Sequence, residues 1–301
     1  MNEGRPGEHR PDTTLVVLAA GRATRYGGVK PLAPVGLNGE AVLDVLASDA
    51  LAAGFNRLIL VVGAETGSAI RYHVSRTWPR EVPVEFAGQQ TPRGTADAVL
   101  AAAPLLDTGS PFGVANADDL PGKPGLALLA GHLRSGEPES VGVFFRLRDS
   151  LVGDAPVTRG VCRVDELGML EAVDERRRVT LLPDGRVVAD DGREPKELDP
   201  EQLVSVNLWG FVPGLRGVFE QAIAQARGDR EVLLPEVVDE LLTAGARGAQ
   251  HALAVRVLRA PGRCVGVTHA GDVALVSAEL ARQVAQGDRP AQLWTAVATR
   301  S

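Results

Sequence analysis

Lysine is nearly missing from this chain of 301 residues: Lys30, Lys123 and Lys196 stand alone, although lysine and arginine together number 32. A sequence that uses arginine almost everywhere keeps ammonium for places where a compact, mobile point charge does what a planar guanidinium does not. Cysteine is equally scarce. Cys162 and Cys264 lie far apart and outside any C-x-x-C spacing, which excludes a disulfide framework and a zinc ribbon. None of the five histidines stands at i, i+4 from another, so a histidine metal site is excluded and any metal is expected to be oxygen-bound. No apolar run approaches the roughly 20 residues that cross a bilayer, and residues 1–12 lack the apolar core of a signal peptide. The expectation is a cytoplasmic protein with no membrane partner.

A formal charge of −6 argues against a nucleic-acid surface, which carries a basic excess. The 45% hydrophobic content and a mean hydropathy of +0.01 fit a globular protein with a full core, in one large or two intimately joined domains.

Leu15 to Val35, LVVLAAGRATRYGGVKPLAPV, is the most informative stretch. Four apolar residues run into Ala19-Ala20-Gly21, followed by Arg22, Arg25 and Lys30 among small residues. This reads as a buried strand ending in a loop whose backbone N–H groups face a ligand, with cations suited to a polyphosphate. It is not a Walker loop, because five residues separate Gly21 from Gly27 and Val29 precedes Lys30. The dinucleotide fingerprint fails too, since Ala23 and Tyr26 stand where its second and third glycines belong.

Downstream, apolar segments alternate with helical ones. Ala41 to Ala53 has helical spacing closed by Gly54, Arg57 to Val62 and Val82 to Ala87 read as strands, and Thr95 to Ala103 as a helix. Pro111 to Ala115 is extended and Lys123 to Leu133 helical. The alternation predicts an α/β protein with a parallel sheet and helices on both faces, and its ligands are expected at the carboxyl ends of the strands. Three loops there carry suitable groups: the Gly21 loop, Gly88 to Thr95, and Asn116-Ala117-Asp118-Asp119. Gln89 and Gln90 offer the donor and acceptor that read a base edge, while Thr95 also reads as a plain helix cap. Asp118 and Asp119 suit a magnesium ion shared with substrate phosphates; a solvated turn is the other reading of Asp119.

Leu18, Ala19, Ala20, Gly21, Arg25, Lys30 and Pro31 match, in order, the signature of the sugar-1-phosphate nucleotidylyltransferases, L-A-A-G-x-G-x-R followed by Lys-Pro, with Ala23 replacing the second glycine. The chain resembles that family from about Thr13 to Asp272, and most in pattern its bacterial single-domain members that join UTP to glucose 1-phosphate. The resemblance implies a Rossmann-like three-layer fold, with a mostly parallel mixed sheet and a sugar-binding subregion. Residues 1–12 would be a tail, 13–139 the nucleotide-binding half, 140–272 the sugar-phosphate half and 273–301 a closing helical segment. It implies nucleotide binding by Leu18, Ala19, Ala20, Gly21, Gln89, Gly94 and Thr95, and catalysis by Arg25, Lys30 and Asp118.

From Ser140 onward extended stretches dominate, with a hairpin at Pro183-Asp184-Gly185. Arg159-Gly160-Val161 and Glu171 to Arg176 resemble the family's two sugar-facing motifs, its usual Glu-Lys appearing as Glu175-Arg176; Arg176 would hold the sugar phosphate bidentately. Asn207, a polar residue inside Val204 to Phe211, must find partners if buried, and a sugar hydroxyl is one. Gly160, Glu175, Arg176 and Asn207 are thus the sugar-phosphate candidates. Glu236 and Asp239 are further candidates beside a reading as helix-dipole charges. Asp272, after Gly266-Val267-Thr268, is either a second ligand for Mg2+ beside Asp118 or the cap of the helix that follows.

The implied reaction is attack by a sugar 1-phosphate oxygen on the α-phosphorus of a nucleoside triphosphate, releasing pyrophosphate without a covalent enzyme intermediate. Two other readings stay open: a non-catalytic nucleotide-sugar binding or regulatory protein, and guanylyl or cytidylyl transfer to an unusual sugar or alcohol phosphate. A homo-oligomer is compatible with all three.

Overall fold

The computed structural model describes residues 13–21, 27–225, 231–246 and 253–298. Strand β1 (Thr14–Ala19) is buried along its whole length. Because side chains alternate across a strand, Leu15, Val17 and Ala19 enter one core while Val16, Leu18 and Ala20 enter another on the opposite face. Strand β2 (Arg57–Gly63) divides in the same way. An unbroken apolar run is therefore what a strand covered on both faces requires.

The first core is closed by α1 (Val42–Ala53), α2 (Gly67–Thr77) and α4 (Gly122–Ser135), with later help from α7 (Asp272–Gln286) and α8 (Thr295–Ala298). The second is closed by α3 (Thr95–Ala102), α5 (Arg216–Gln225) and α6 (Leu234–Ala246). This is the three-layer α/β architecture expected. At α1 the local reasons are visible: the Asp44 carboxylate accepts the Ala41 N–H at the start, and Gly54 takes φ 108° at the end.

The remaining strands are β3 (Val84–Gln89), β4 (Phe112–Asn116), β5 (Asp119–Leu120), β6 (Ser140–Arg146), β7 (Val157–Val164), β8 (Leu170–Leu181), β9 (Val187–Ala189), β10 (Glu197–Leu198), β11 (Leu203–Ser205), β12 (Trp209–Phe211), β13 (Val255–Arg259) and β14 (Val265–Gly266). One mixed sheet runs β10-β9-β8-β7-β11-β6-β12-β4-β1-β2-β3, with β13 beside β6. It is parallel from β4 to β3 and in the β13–β6 pair, and antiparallel from β4 outward to β10. The 13–139 and 140–272 halves therefore share a continuous sheet, stitched by β12 between β4 and β6.

Two elements that the sequence pattern had not revealed are α2 and β13. The expected extended run Val204 to Phe211 is broken into β11 and β12 at Asn207, whose φ of 61° lies in the left-handed region. The two-stranded ladder of β5 and β14 stands apart from the main sheet. Among the described residues no helix is long and apolar enough to cross a membrane.

Candidate active site

Parallel strands β1 and β4 are direct neighbours, with Leu18 opposite Asn116, so the loops that leave them emerge side by side. The Ala117 N–H donates to the Leu18 carbonyl at 3.1 Å and ties the two loops together. Leu18, Ala19 and Ala20 are buried, whereas Gly21 is exposed, with no atom of the described residues near the position a Cβ would take. From the other side, the Thr66 hydroxyl donates to the Ala19 carbonyl and accepts from the Gly63 N–H. A Cβ at Gly63 would come within 2.9 Å of the Ala20 carbonyl oxygen, so the signature loop rests directly on the end of β2. Arg25, with Arg22 and Ala23, lies outside the described residues.

Lys30 opens a short 3-10 turn, Lys30–Leu32, in which Pro31 is buried and fixes the local backbone. Its ammonium lies 3.5 Å from the Asp118 carboxylate, with side-chain exposures of 20% and 31% that leave both groups reachable by a ligand. Burial pushes the Asp118 carboxyl up to about 6; the charge of Asp119 adds to this and Lys30 opposes it. A carboxylate whose ionised form is disfavoured until a cation arrives, next to a second carboxylate, is a donor set that fits an oxygen-preferring divalent ion. Among the described residues, no group of three or more His, Cys, Asp and Glu side chains forms a larger cage.

The late strand reaches this site, but Asp272 does not serve it. Gly266 on β14 pairs with Asp119, and the Val267 N–H donates to the Asp118 carbonyl at 2.9 Å. Asp272, five residues further on, turns its carboxylate to the Thr268 and His269 N–H groups, at 2.8 and 2.7 Å, where α7 begins. Asp272 is the first residue of α7 and accepts N–H groups that precede the helix, so it ties the 268–271 turn to the helix start rather than capping it. With that oxygen committed to backbone amides and no contact to Asp118 or Asp119 among the described residues, the metal-ligand reading of Asp272 is corrected to one of holding this turn.

The second loop is more closed than its sequence suggested. Gln89 is buried, and its amide nitrogen donates to the Gly94 carbonyl and to the Asp97 carboxylate, at 3.0 and 2.7 Å. Both partners are acceptors, so the NH2 group is spent inside the protein and a paired donor and acceptor is not available from this side chain. Gly94 takes φ 98°, and a Cβ there would stand 2.4 Å from the Val232 carbonyl oxygen. The Thr95 hydroxyl accepts the Leu234 N–H at 2.8 Å, so it caps α6 rather than its own helix. The loop is thereby clamped to the start of α6.

On the far side, Gly160 on β7 pairs with Glu175 on β8. One Glu175 carboxylate oxygen is buried with no hydrogen-bond partner, and burial, then the nearby Glu236, raises its carboxyl, with Arg177 opposing. Asp239 accepts the Val173 N–H at 2.9 Å, docking α6 on β8. Arg176 does not fit its expected role. It is buried, and its guanidinium bonds Asp191 at 2.7 and 3.1 Å and the carbonyls of Arg193 and Pro195. Alternation along β8 sends Arg176 to the face opposite Glu175, so the phosphate-holding reading is corrected to one of anchoring the 190–195 loop.

Asn207 links the halves. Its amide nitrogen donates to the Asn116 side-chain oxygen at 3.4 Å, its own oxygen accepts the Trp209 indole N–H at 3.3 Å, and Asn116 donates to Asp119 at 2.9 Å. Asn116 and Asp119, which the sequence places in the third ligand loop with a solvated turn as the other reading of Asp119, are thus bonded to one another beside Asp118, and Asn116 also to Asn207.

The site thus holds a cation and a carboxylate at the loops that leave two adjacent parallel strands, and a separate orphaned carboxylate oxygen on the antiparallel extension of the same sheet. Residues 15–145 match the family model of the MobA-like NTP transferase domain. Over 280 residues the chain is 28% identical to the bifunctional protein GlmU of Sorangium cellulosum (strain So ce56), covering 90% of this chain and 52% of that protein. The chain therefore spans about half the length of this curated relative. The solved structure of UDP-glucose pyrophosphorylase complexed with UDP-glucose is similar in fold, with a TM-score of 0.61 and 16% identity over 90% of this chain and 99% of that one. The first half of the chain is thus similar to the MobA-like NTP transferase domain, and the chain as a whole shares its fold with UDP-glucose pyrophosphorylase.

Proposed function

We propose that the chain transfers a nucleotidyl group from a nucleoside triphosphate to a sugar 1-phosphate, giving a nucleotide-sugar and pyrophosphate. The observation that carries this reading is the Lys30–Asp118 juxtaposition at the loops that follow the neighbouring strands β1 and β4. Amides of the Gly21 loop and the Lys30 ammonium, with Arg25, receive the triphosphate. Glu175 and Asn207 orient the acceptor sugar, the buried Glu175 oxygen taking a hydroxyl proton as hydrogen-bond partner. Leu18, Ala19, Ala20, Gln89, Gly94, Thr95 and Gly160 shape the walls, chiefly through backbone placement.

Magnesium is the ion this site suits, with Asp118 as its protein ligand and Asp119 beside it. Bound there it would neutralise charge on the phosphate oxygens. The work of the chain is alignment: two polyanions are held against their repulsion by the amides and by Lys30, and no side chain is needed as nucleophile. Nothing among the described residues favours a silent binder.

The test is pyrophosphate release across five nucleoside triphosphates, each with a panel of sugar 1-phosphates and magnesium. At least one pair is expected to turn over, and Asp118→Asn to abolish it while the circular dichroism spectrum is unchanged. Silence across the whole matrix, or full activity of the variant, sinks the proposal.

A further inference from the structure

Away from the Lys30–Asp118 site, a cavity of about 360 Å³ opens between α1, the start of α4, the Pro261–Arg263 turn and α7. Its walls carry four cations, Lys123, Arg263, Arg282 and Arg289, against three carboxylates, Asp49, Glu279 and Asp288, in a protein whose net charge is −6. The carboxylates are largely committed. Asp49 and Arg289 form a bidentate pair at 2.7 and 2.6 Å, both under one-tenth exposed, and Glu279 holds Arg282. Arg289 also donates to Gln283, so the floor of the cavity is a built, fully bonded layer.

Lys123 and Arg263 are different. Among the described residues neither has an ion-pair partner within 4 Å; Arg263 spends one nitrogen on the Leu151 carbonyl, and the Lys123 charge is felt by Asp49. No side chain caps the start of α4, where Gly122 turns the backbone at φ 71°, so its first amides add positive potential to the same wall. Lys123 is one of only three lysines in the sequence. Two cations of different geometry, a point charge and a planar fork, line one cavity without a direct carboxylate partner, although Lys123 acts at a distance on Asp49 and Arg263 on Glu279, and together they match a phosphate-bearing small anion.

The walls are also the arms of the active site. Lys123 follows β5 by three residues and Arg263 precedes β14 by two, and these strands form the ladder Leu120–Val265 and Asp119–Gly266 that carries Asp118. We propose that this cavity is an effector site for a small phosphate dianion, and that its occupancy is coupled through the β5–β14 ladder to the Asp118 loop. The coupling rests on the nucleotidyltransferase reading only for its effect on turnover; binding and the ladder response do not. By linkage, whatever the anion does to the ladder, substrates and metal at Asp118 do in return to the anion.

The experiment is calorimetric titration of the full chain with glycerol 2-phosphate and with inorganic phosphate, without magnesium or substrates, in wild type, Lys123→Ala/Arg263→Ala and Lys30→Ala. Both altered cavity residues are exposed, so the double variant should fold. At least a roughly tenfold weakening is expected in the double variant and retention in Lys30→Ala. A stronger response to glycerol 2-phosphate than to inorganic phosphate identifies a phosphate monoester as the occupant; equal responses identify the free anion. Unchanged binding in the double variant, or loss on Lys30→Ala alone, overturns the site. Hydrogen exchange of the 119–120 and 265–267 amides, with and without the probe, tests the coupling independently of activity. Protection that changes in wild type and not in the double variant is expected, and wild-type amides indifferent to the probe overturn the coupling.

Discussion

Asp118 sits where its charge is unwelcome in the free protein. Its carboxyl is raised to about 6, against an unfolded value near 3.9. Above pH 6 the group is ionised in both states and the fold bears the penalty; below about pH 4 it is neutral in both and the penalty vanishes. Asp118→Asn, the variant expected to lose activity, should therefore be more stable than wild type at pH 8, by roughly 1–2 kcal/mol once solvent screening is allowed for. The gain should disappear near pH 4. Urea unfolding at both pH values checks this, and a variant less stable at pH 8 would contradict it. Arg176 makes the opposite case. Its guanidinium, with help from two backbone amides, holds Asp191 well below the usual carboxylate range, so this stability is present above the unfolded value and is lost as pH falls through and below it. Arg176→Ala leaves the half-buried Asp191 with only the Arg177 and Arg193 amides, and should cost about 1–3 kcal/mol. In protein that remains folded, KM for sugar 1-phosphate should stay within about twofold of wild type; a large rise in KM would restore the phosphate-ligand role.

At the level of elements, the clamp between the second loop and α6 decides how the nucleotide side meets the sugar side. Val232 exchanges backbone bonds with Arg93 and Ala96, and Thr95 caps Leu234, the residue that opens α6. Gly94 permits the approach, because its φ is positive and its missing Cβ leaves room for the Val232 backbone. Gly94→Ala should destabilise by roughly 1–3 kcal/mol and raise KM for both substrates, as α6 carries Glu236 and Asp239 to the Glu175 wall; a shift in one KM alone would argue that the clamp joins nothing. Much of this architecture was legible beforehand. Unbroken apolar runs announced β1, β2 and β4, Gly54 marked the end of α1, and Lys30 and Asp118 stood out by type and context. What escaped was set by partners distant in sequence. Glycine-led α2 opens without a capping side chain, Arg176 looked like a ligand until Asp191 met it across a hairpin, and Gln89 looked free until Asp97 took its amide.

Across the whole molecule, the last described segment closes the nucleotide side from behind. Trp294 packs on Trp78 with ring centroids 5.1 Å apart and donates its N–H to Ser48, while Arg289 reaches Asp49 across 240 residues of sequence. No periodicity announces such a contact, yet it holds α1, whose other end orders the turn after Lys30 through the Ala33–Val42 backbone bond. Burial raises the Asp49 carboxyl even with Arg289 present, so the ionised form depends on that arginine. Arg289→Ala should cost about 3–5 kcal/mol at pH 8, where Asp49 is charged and left alone. Toward pH 4 the cost should shrink, since a raised carboxyl takes up its proton at a higher pH than an ordinary one and the stranded charge is thereby removed. Adding Asp49→Asn should recover much of the loss at pH 8 by removing the stranded charge. Denaturant unfolding of the three variants at both pH values separates the outcomes: equal losses at pH 8 and pH 4, with no rescue by asparagine, would mean that the segment is held by Trp294 and its neighbours and that the ion pair is incidental.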